Sequence, residues 1–272
     1  MLATLSGMSS ADEPVVFDRA AGFYDATRGF PPGVDEQVAD LIAETGGLGP
    51  HSRLLEIGVG TGRIAVPLAK RLVRVVGVDL SRAMMEQLLA KRGAARGRLP
   101  VELARADAAR LPFPEARFDA ALGVHVFHLI HRWREVLAEL ARVLRPGAPL
   151  LHAADARAGD WATWRDRFAT VHRVENSGVP QERFESFLED EGWRPLGPAR
   201  RIEFERELVP RELVERIAER SWSFTWKLSD AEVAEAAEGL RGELLERFGD
   251  LERPVSVPGG FWVRAYLAPL RR

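Results

Sequence analysis

Between residues 54 and 62 the chain reads Leu54-Leu55-Glu56-Ile57-Gly58-Val59-Gly60-Thr61-Gly62, an apolar run that passes through an acid into three alternating glycines. Glycine is required where backbone turns sharply or lies against a ligand, because a Cβ there would clash. Alone, such a loop also suits a tight strand-to-helix turn that binds nothing. Asp79 ends the next apolar run, 19 residues beyond Gly60. A carboxylate in that place accepts hydrogen bonds from both hydroxyls of a ribose. It is less suited to capping the helix that follows, for which Ser81 is better placed. Asp107-Ala108 follows a third apolar run and precedes Leu111-Pro112-Phe113-Pro114. An acid there accepts the exocyclic amine of adenine while the apolar neighbours cover its face. The series of loop, ribose acid and adenine acid is chemistry for holding a nucleoside.

A nicotinamide dinucleotide is one such ligand, but its fingerprint needs a glycine or alanine three residues after the second glycine. Here that position is Arg63, and Glu56 stands two residues before the first glycine. Both departures disfavour a pyrophosphate cradle. His125, His128 and His131 recur at a spacing of three. On a helix the first two would be neighbours and the third would drift off their face. No Asp, Glu or Cys completes a ligand set beside them, so no metal is expected. His128 reads as a satisfied histidine under a cap, and His125 as a candidate base or hydrogen-bond donor. His152 and Asp155 end the fifth strand near the same rim. No residue is assigned as catalytic, and His125 is the one candidate. Trp161, Trp164, Trp222 and Trp226 suit either an aromatic cage or helical core packing, which is the simpler reading. Trp222 and Trp226 share a helix face if residues 220–227 are helical.

These residues need a scaffold, and strands and helices alternate to supply one. Helical spacing runs over Val34–Ala43, Ile64–Leu72 and Trp133–Leu144, and the helix after Ser81 lies between two strands. Strands are predicted at Arg53–Ile57, Arg74–Val78, Val101–Ala104, Asp119–Val124 and Ala148–Ala153. Repeated βα alternation implies a mostly parallel sheet with helices on both faces. Past Asp155 the texture turns helical over 156–198 and 209–258, clearest at Glu212–Arg220 and Ala231–Arg247. Strands are expected at Ile202–Leu208 and Phe261–Leu267. Residues 1–13 read as a loose tail.

Composition sets the bounds. The 272 residues are 46% hydrophobic and 29% charged, with a net charge of −2. Arginine carries nearly all the positive charge, and no polybasic run points to nucleic acid or an anionic membrane. The absence of cysteine excludes a disulfide scaffold, a thiolate zinc site and a cysteine nucleophile. No signal peptide and no 18-residue apolar segment is visible. A cytoplasmic protein, monomeric or homodimeric, is the expectation.

Taken together, Leu55–Gly62, Val76–Asp79 with Ser81 and Met84, Ala106–Pro112, Arg117–Phe127 and Ala141–Gly147 resemble class I S-adenosylmethionine-dependent methyltransferases. The likeness is to their small-molecule, quinone-biosynthesis-like branch, and it spans about half the chain, from Phe17 to Ala153. The usual Pro-Gly-Gly turn is here Pro146-Gly147-Ala148. The resemblance implies an α/β, Rossmann-like sheet of seven strands, mostly parallel, the last antiparallel at its edge. Residues 1–155 would form the cofactor-binding core with an N-terminal lid, and 156–260 a mainly helical cap for the substrate. Strand 202–208 would join the core sheet, and 261–272 would supply its last strand.

The cofactor implied is S-adenosyl-L-methionine, with S-adenosyl-L-homocysteine as product. Gly58, Gly60 and Gly62 would line its methionine part, with Glu56 near the amino group. Asp79 would hold the ribose, Leu80 and Met84 would pack on adenine, and Asp107 with Ala108 would address its edge. Val124 and His125 would lie near the sulfonium and the substrate. Tyr24 and Arg28, in a segment that folds over the cofactor, would reach its carboxylate, which suits arginine's fork of donors. The expected reaction is in-line displacement onto a small-molecule acceptor, in which alignment can contribute about 7–11 kcal/mol. A general base is needed only if the acceptor must lose a proton. The alternatives are a protein that binds the cofactor or its product without transferring methyl, and an RNA methyltransferase. The latter commonly has Asn-Pro-Pro-aromatic where this chain has Val124-His125-Val126-Phe127.

Overall fold

Strand interiors here are apolar at consecutive positions: Leu54-Leu55, Val75-Val76 and Leu150-Leu151. Neighbouring side chains in a strand point to opposite faces, so each pair feeds both sides of a sheet. In the computed structural model, which describes residues 16–95, 97–156 and 181–269, they do so. Leu54, Val75 and Leu151 join one core with Val38, Ile42 and Leu68. Leu55, Val76 and Leu150 join a second with Leu137, Leu140 and Tyr266. Burial on both faces is the mark of a helix-covered parallel sheet.

The parallel strands are β1 (Arg53–Ile57), β2 (Arg74–Asp79), β3 (Val101–Arg105), β4 (Ala120–Val124) and β5 (Pro149–Ala156). The helices are α1 (Tyr24–Arg28), α2 (Val34–Gly46), α3 (Ala65–Lys70), α4 (Arg82–Ala94) and α5 (Trp133–Val143). In α5, Trp133, Val136, Leu137, Leu140 and Val143 form the buried stripe, the spacing of one helix face. The chain continues through α6 (Gln181–Asp190), β6 (Arg194–Pro195), β7 (Arg200–Leu208), α7 (Pro210–Ala218), α8 (Asp230–Phe248) and β8 (Val255–Leu267).

The sheet order is β3-β2-β1-β4-β5-β8-β6, with β7 also on β8. Three expectations change. Eight strands are present among the described residues rather than seven. β8 is antiparallel to β5, as expected, but β6 and β7 occupy its other side, so it is internal rather than at the edge. It also begins at Val255, inside the stretch read as helical. Residues 255–259 pair only with β7, so the β7–β8 ribbon projects past Ala156 at the end of β5, by roughly 17 Å at 3.3–3.4 Å per residue.

Helices α7 and α8 bury Leu213, Ile217, Trp222, Val233, Ala236 and Leu240 against one another, a third core apart from the sheet. Between them the chain is not α-helical. Arg220 takes a left-handed φ of 56°, and a 3-10 turn covers Ser223–Thr225. The Arg220 guanidinium donates to the Thr225 and Leu228 carbonyls and ties the turn. Trp222 and Trp226 therefore do not share a helix face. The tail over 1–13, Trp161 and Trp164 lie outside the described residues. No helix among the described residues is long and apolar enough to cross a membrane.

Candidate functional site

The carboxyl ends of β3, β2, β1, β4 and β5 stand side by side in that order. Asp107, Asp79, Glu56, His125 and Asp155 follow or end these strands and thus form a row along one edge, where open α/β sheets bind ligands.

At β1, Gly58 and Gly60 have φ of 65° and 53°, a region that only glycine enters freely. Gly58 is exposed, and Gly60 faces the Met84 methyl. A Cβ at Gly58 would lie 2.7 Å from Val126 Cγ2 and one at Gly62 2.6 Å from Leu88 Cγ, so both missing side chains also serve packing, the latter that of α4. Glu56 is 3% exposed, and its Oε2 is buried without a hydrogen-bond partner. Burial pushes its pKa up to about 8, with Arg63 opposing and the negative Asp79 reinforcing the shift.

At β2, the Gly60 N–H donates to Asp79 Oδ2 and the Ser81 N–H to Oδ1, each at 2.8 Å. The acid therefore pins the glycine loop as well as facing the crevice. Burial raises its pKa against the pull of those N–H groups. Ser81 caps α4 by accepting from the Met84 N–H at 3.1 Å. Leu80 is half-buried and Met84 buried beside this loop. At β3, Asp107 is exposed, accepts from the Ala109 N–H at 2.9 Å and pairs with Arg132 at 3.4 Å. Ala108 packs partly buried on the second core. The Leu111–Phe113 loop is held by Arg142, which donates to both carbonyls, and by Glu139, which accepts from the Leu111 N–H.

Val124 ends β4 and His125 follows it. His125 has φ 51°, and a non-glycine there costs on the order of 1–3 kcal/mol. The Asp155 N–H donates to His125 Nε2 at 2.8 Å, and Asp155 Oδ2 lies 3.2 Å from the same nitrogen. With Nε2 accepting that N–H, Nδ1 is the nitrogen left to donate. Burial pushes Asp155 upward, but Arg63 and then His125 overcome it and hold the carboxyl below the usual carboxylate range. Its Oδ1 is buried and unpartnered. His152 is 4% exposed with an unpartnered Nδ1, ringed by Phe127, Phe184 and Trp262 at 4.7–5.5 Å. Burial, helped by His125 and His128, pushes its pKa down to about 3. Among the described residues no group of three or more His, Cys, Asp or Glu side chains is gathered to hold a metal.

The N-terminal segment closes over this edge. Ser81 Oγ donates to Asp18, and Thr61 Oγ1 donates to Asp25 at 2.6 Å. Lys91 pairs with Asp25 at 2.6 Å, and Arg63 Nη1 donates to the Arg28 carbonyl at 2.7 Å. Tyr24 and Arg28 are half-buried on α1, the Tyr24 ring meeting Phe17 edge-on at 6.3 Å. Sequence reasoning missed the anchors Asp18 and Asp25, the Arg63–Asp155 pair and Arg206. For Arg206 a signal existed, a cation on the apolar face of the alternating Ile202, Phe204, Arg206, Leu208.

Residues 55–151 match the family described as methyltransferase domain. The chain is 37% identical over 101 residues to the demethylmenaquinone methyltransferase of Deinococcus radiodurans, covering 36% of this chain and 41% of that one. It thus spans less than half the length of the first curated relatives it matches. The fold is similar to that of phosphoethanolamine N-methyltransferase 2 of Haemonchus contortus in complex with S-adenosyl-L-methionine. That match has a TM-score of 0.56 and 20% identity over 97% of this chain and 61% of that one. The cyclase SpnF is similar to the same degree, with a TM-score of 0.57 and 20% identity over 94% of each chain.

Proposed function

We propose, from a chain whose residues 55–151 match the methyltransferase-domain family, that the protein is a class I S-adenosylmethionine-dependent enzyme that methylates a small-molecule acceptor. The observation that carries this reading is Glu56, a buried acid with an unpartnered oxygen, two residues before the exposed Gly58 of the glycine loop. Such a group calls for a cation. The cofactor's amino group is one, whereas the pyrophosphate of a dinucleotide offers Glu56 no cation.

Glu56, Gly58 and Gly60 receive the amino-acid end, and Tyr24 and Arg28 its carboxylate. Asp79 gives acceptor sites to the Gly60, Ser81 and Leu80 N–H groups and keeps its remaining acceptor capacity for the ribose. Leu80 and Met84 pack on adenine, and Asp107 with Ala108 addresses its edge. Val124 and His125 lie toward the acceptor. When bound, S-adenosylmethionine supplies a methyl group on positive sulfur and leaves as S-adenosylhomocysteine. The chain's own part is to align the acceptor and exclude water, through the lid and the α7–α8 cap of the 156–260 region. His125 presents Nδ1–H as a hydrogen-bond donor.

Calorimetric titration with S-adenosylmethionine, S-adenosylhomocysteine and NADH tests the assignment, with Asp79→Ala as control. Micromolar binding of the first two, lost in the variant, is expected, while binding of NADH alone would overturn it. Release of S-adenosylhomocysteine across an acceptor panel then separates transfer from binding without turnover, a distinction that matters because the cyclase SpnF shares the fold.

A further inference from the structure

We propose that Arg206 is a specificity-determining residue that fixes a carboxylate or phosphate group of the methyl acceptor, an inference that rests on the reading of the chain as a methyltransferase. The row along the sheet edge has an order. Asp79 lies toward the β3 end, Glu56 follows at β1 and His125 at β4, and β7 stands beyond β5 and β8. The nucleoside acids occupy one end of that row and Arg206 the other, so a group at Arg206 belongs to whatever lies past the cofactor.

Its placement follows from strand register. Ile202 pairs with Phe261, itself the partner of Asp155, and Arg206 lies four residues further along the projecting ribbon, opposite Val257. Side chains of alternate residues share a face, so Arg206 is on the half-buried face with Ile202 and Phe204. Its guanidinium lies 5.9 Å from the Phe204 ring centre, and Phe204 packs across Gly259, where a Cβ would approach it to 2.6 Å.

Around it the charges do not balance. Three guanidiniums, Arg63, Arg206 and Arg216, influence one another there, with Asp155 as the opposing charge. Arg63 is committed to Asp155 and the Arg28 carbonyl, and Arg216 to Glu212. Arg206 alone makes no hydrogen bond or ion pair with any described residue, and desolvation depresses its pKa. Among the described residues three cations against two carboxylates leave one positive charge, half-buried beside the Phe204 ring. Guanidinium geometry matches carboxylate and phosphate through paired N–H donors, and a half-buried cation without a partner gains most from such an anion. The Nδ1–H of His125 is a second donor on the way from the cofactor.

The test uses the full chain saturated with S-adenosylhomocysteine and titrated with benzoate, phenyl phosphate and the neutral benzamide. The two anions are expected to bind about tenfold or more tightly than benzamide, and Arg206→Gln to abolish that preference. Arg206→Lys should restore part of it, because charge returns without the fork. Glu203→Gln, on the opposite face of β7, should change nothing. Equal binding of all three probes, or a preference that survives Arg206→Gln, would overturn the assignment. So would a tenfold loss of S-adenosylhomocysteine affinity in Arg206→Gln, which would give the residue to the cofactor's own carboxylate. Should wild-type protein not bind S-adenosylhomocysteine, the methyltransferase reading fails, and the same anion titration on ligand-free protein still decides Arg206.

Discussion

Glu56 is the residue on which the chemistry of the crevice turns, because its charge depends on what it faces. Without a partner it is held neutral up to about pH 8 by burial. A bound ammonium favours the ionised form, so cofactor binding near pH 7 expels a proton. Calorimetry in buffers of different ionisation enthalpy should register that release, with affinity rising toward about pH 8 and falling once the cofactor's own ammonium loses its proton. Glu56→Gln should remove both effects. Stability follows the same linkage. The folded state holds a proton between about pH 4.5 and 8 that the unfolded chain has lost, so wild-type stability falls as pH rises through that window. Glu56→Gln should therefore raise the melting temperature more at pH 8 than at pH 5. An equal gain at both would mean that Glu56 is ionised in the fold. The residue was legible in the sequence from its place before the glycines. Its missing partner was not, since that depends on what packs above it. His125 is similar: its position was visible, but its left-handed backbone and its bond from the Asp155 N–H arise only when β4 and β5 pair.

Among the elements, β1 was found at its true ends because Gly58 stops an apolar run, and α5 because its stripe is closed by Pro146-Gly147. The β7–β8 ribbon was harder. Its partners Leu208 and Val255 are separated by the whole α7–α8 excursion, and no local pattern records a pairing at that distance. The 3-10 turn after Arg220 was hidden too, because tryptophans four apart mimic a helix face. Ser81 is where local and distant structure meet: its hydroxyl accepts from the Met84 N–H and donates to Asp18. Ser81→Ala should cost about 1 kcal/mol of stability as a lost N-cap and also release the lid. Asp18→Ala leaves the cap in place, so its stability should change by less than about 0.5 kcal/mol while S-adenosylhomocysteine affinity falls. In the double variant the affinity losses should not add, because both remove the same contact. Additive losses would show that Asp18 acts through another group.

At the scale of the molecule, the segment from Phe17 to Arg28 is the piece that touches both halves. Asp18 and Asp25 hold it to the cofactor core, while Trp226 of the cap packs on Phe17 at 4.9 Å and under the Arg19 guanidinium at 5.0 Å. Magnitudes decide which contacts matter. The Asp25–Lys91 pair is 43% and 35% exposed, and surface pairs of that kind contribute about 0–1 kcal/mol. An aromatic pair adds about 0.5–1.5 kcal/mol and an exposed cation–π contact about 0.5–1 kcal/mol. The clasp on Trp226 thus outweighs the Asp25–Lys91 pair and adds to the Ser81–Asp18 and Thr61–Asp25 hydrogen bonds, and it links the cap to the cofactor site through the lid segment. Trp226→Ala should accordingly speed S-adenosylhomocysteine dissociation roughly tenfold, the kinetic equivalent of about 1.4 kcal/mol, with little change in the association rate. Stopped-flow fluorescence after displacement by excess S-adenosylmethionine measures it. Because Trp226 packs on the lid and not in the α7–α8 core, the variant should also keep the wild-type far-UV circular dichroism. Limited trypsin cleavage at Arg19 should then be suppressed by S-adenosylhomocysteine in the wild type but not in the variant. A dissociation rate unchanged by Trp226→Ala would mean that the core alone holds the lid shut and that the cap opens and closes independently of the cofactor.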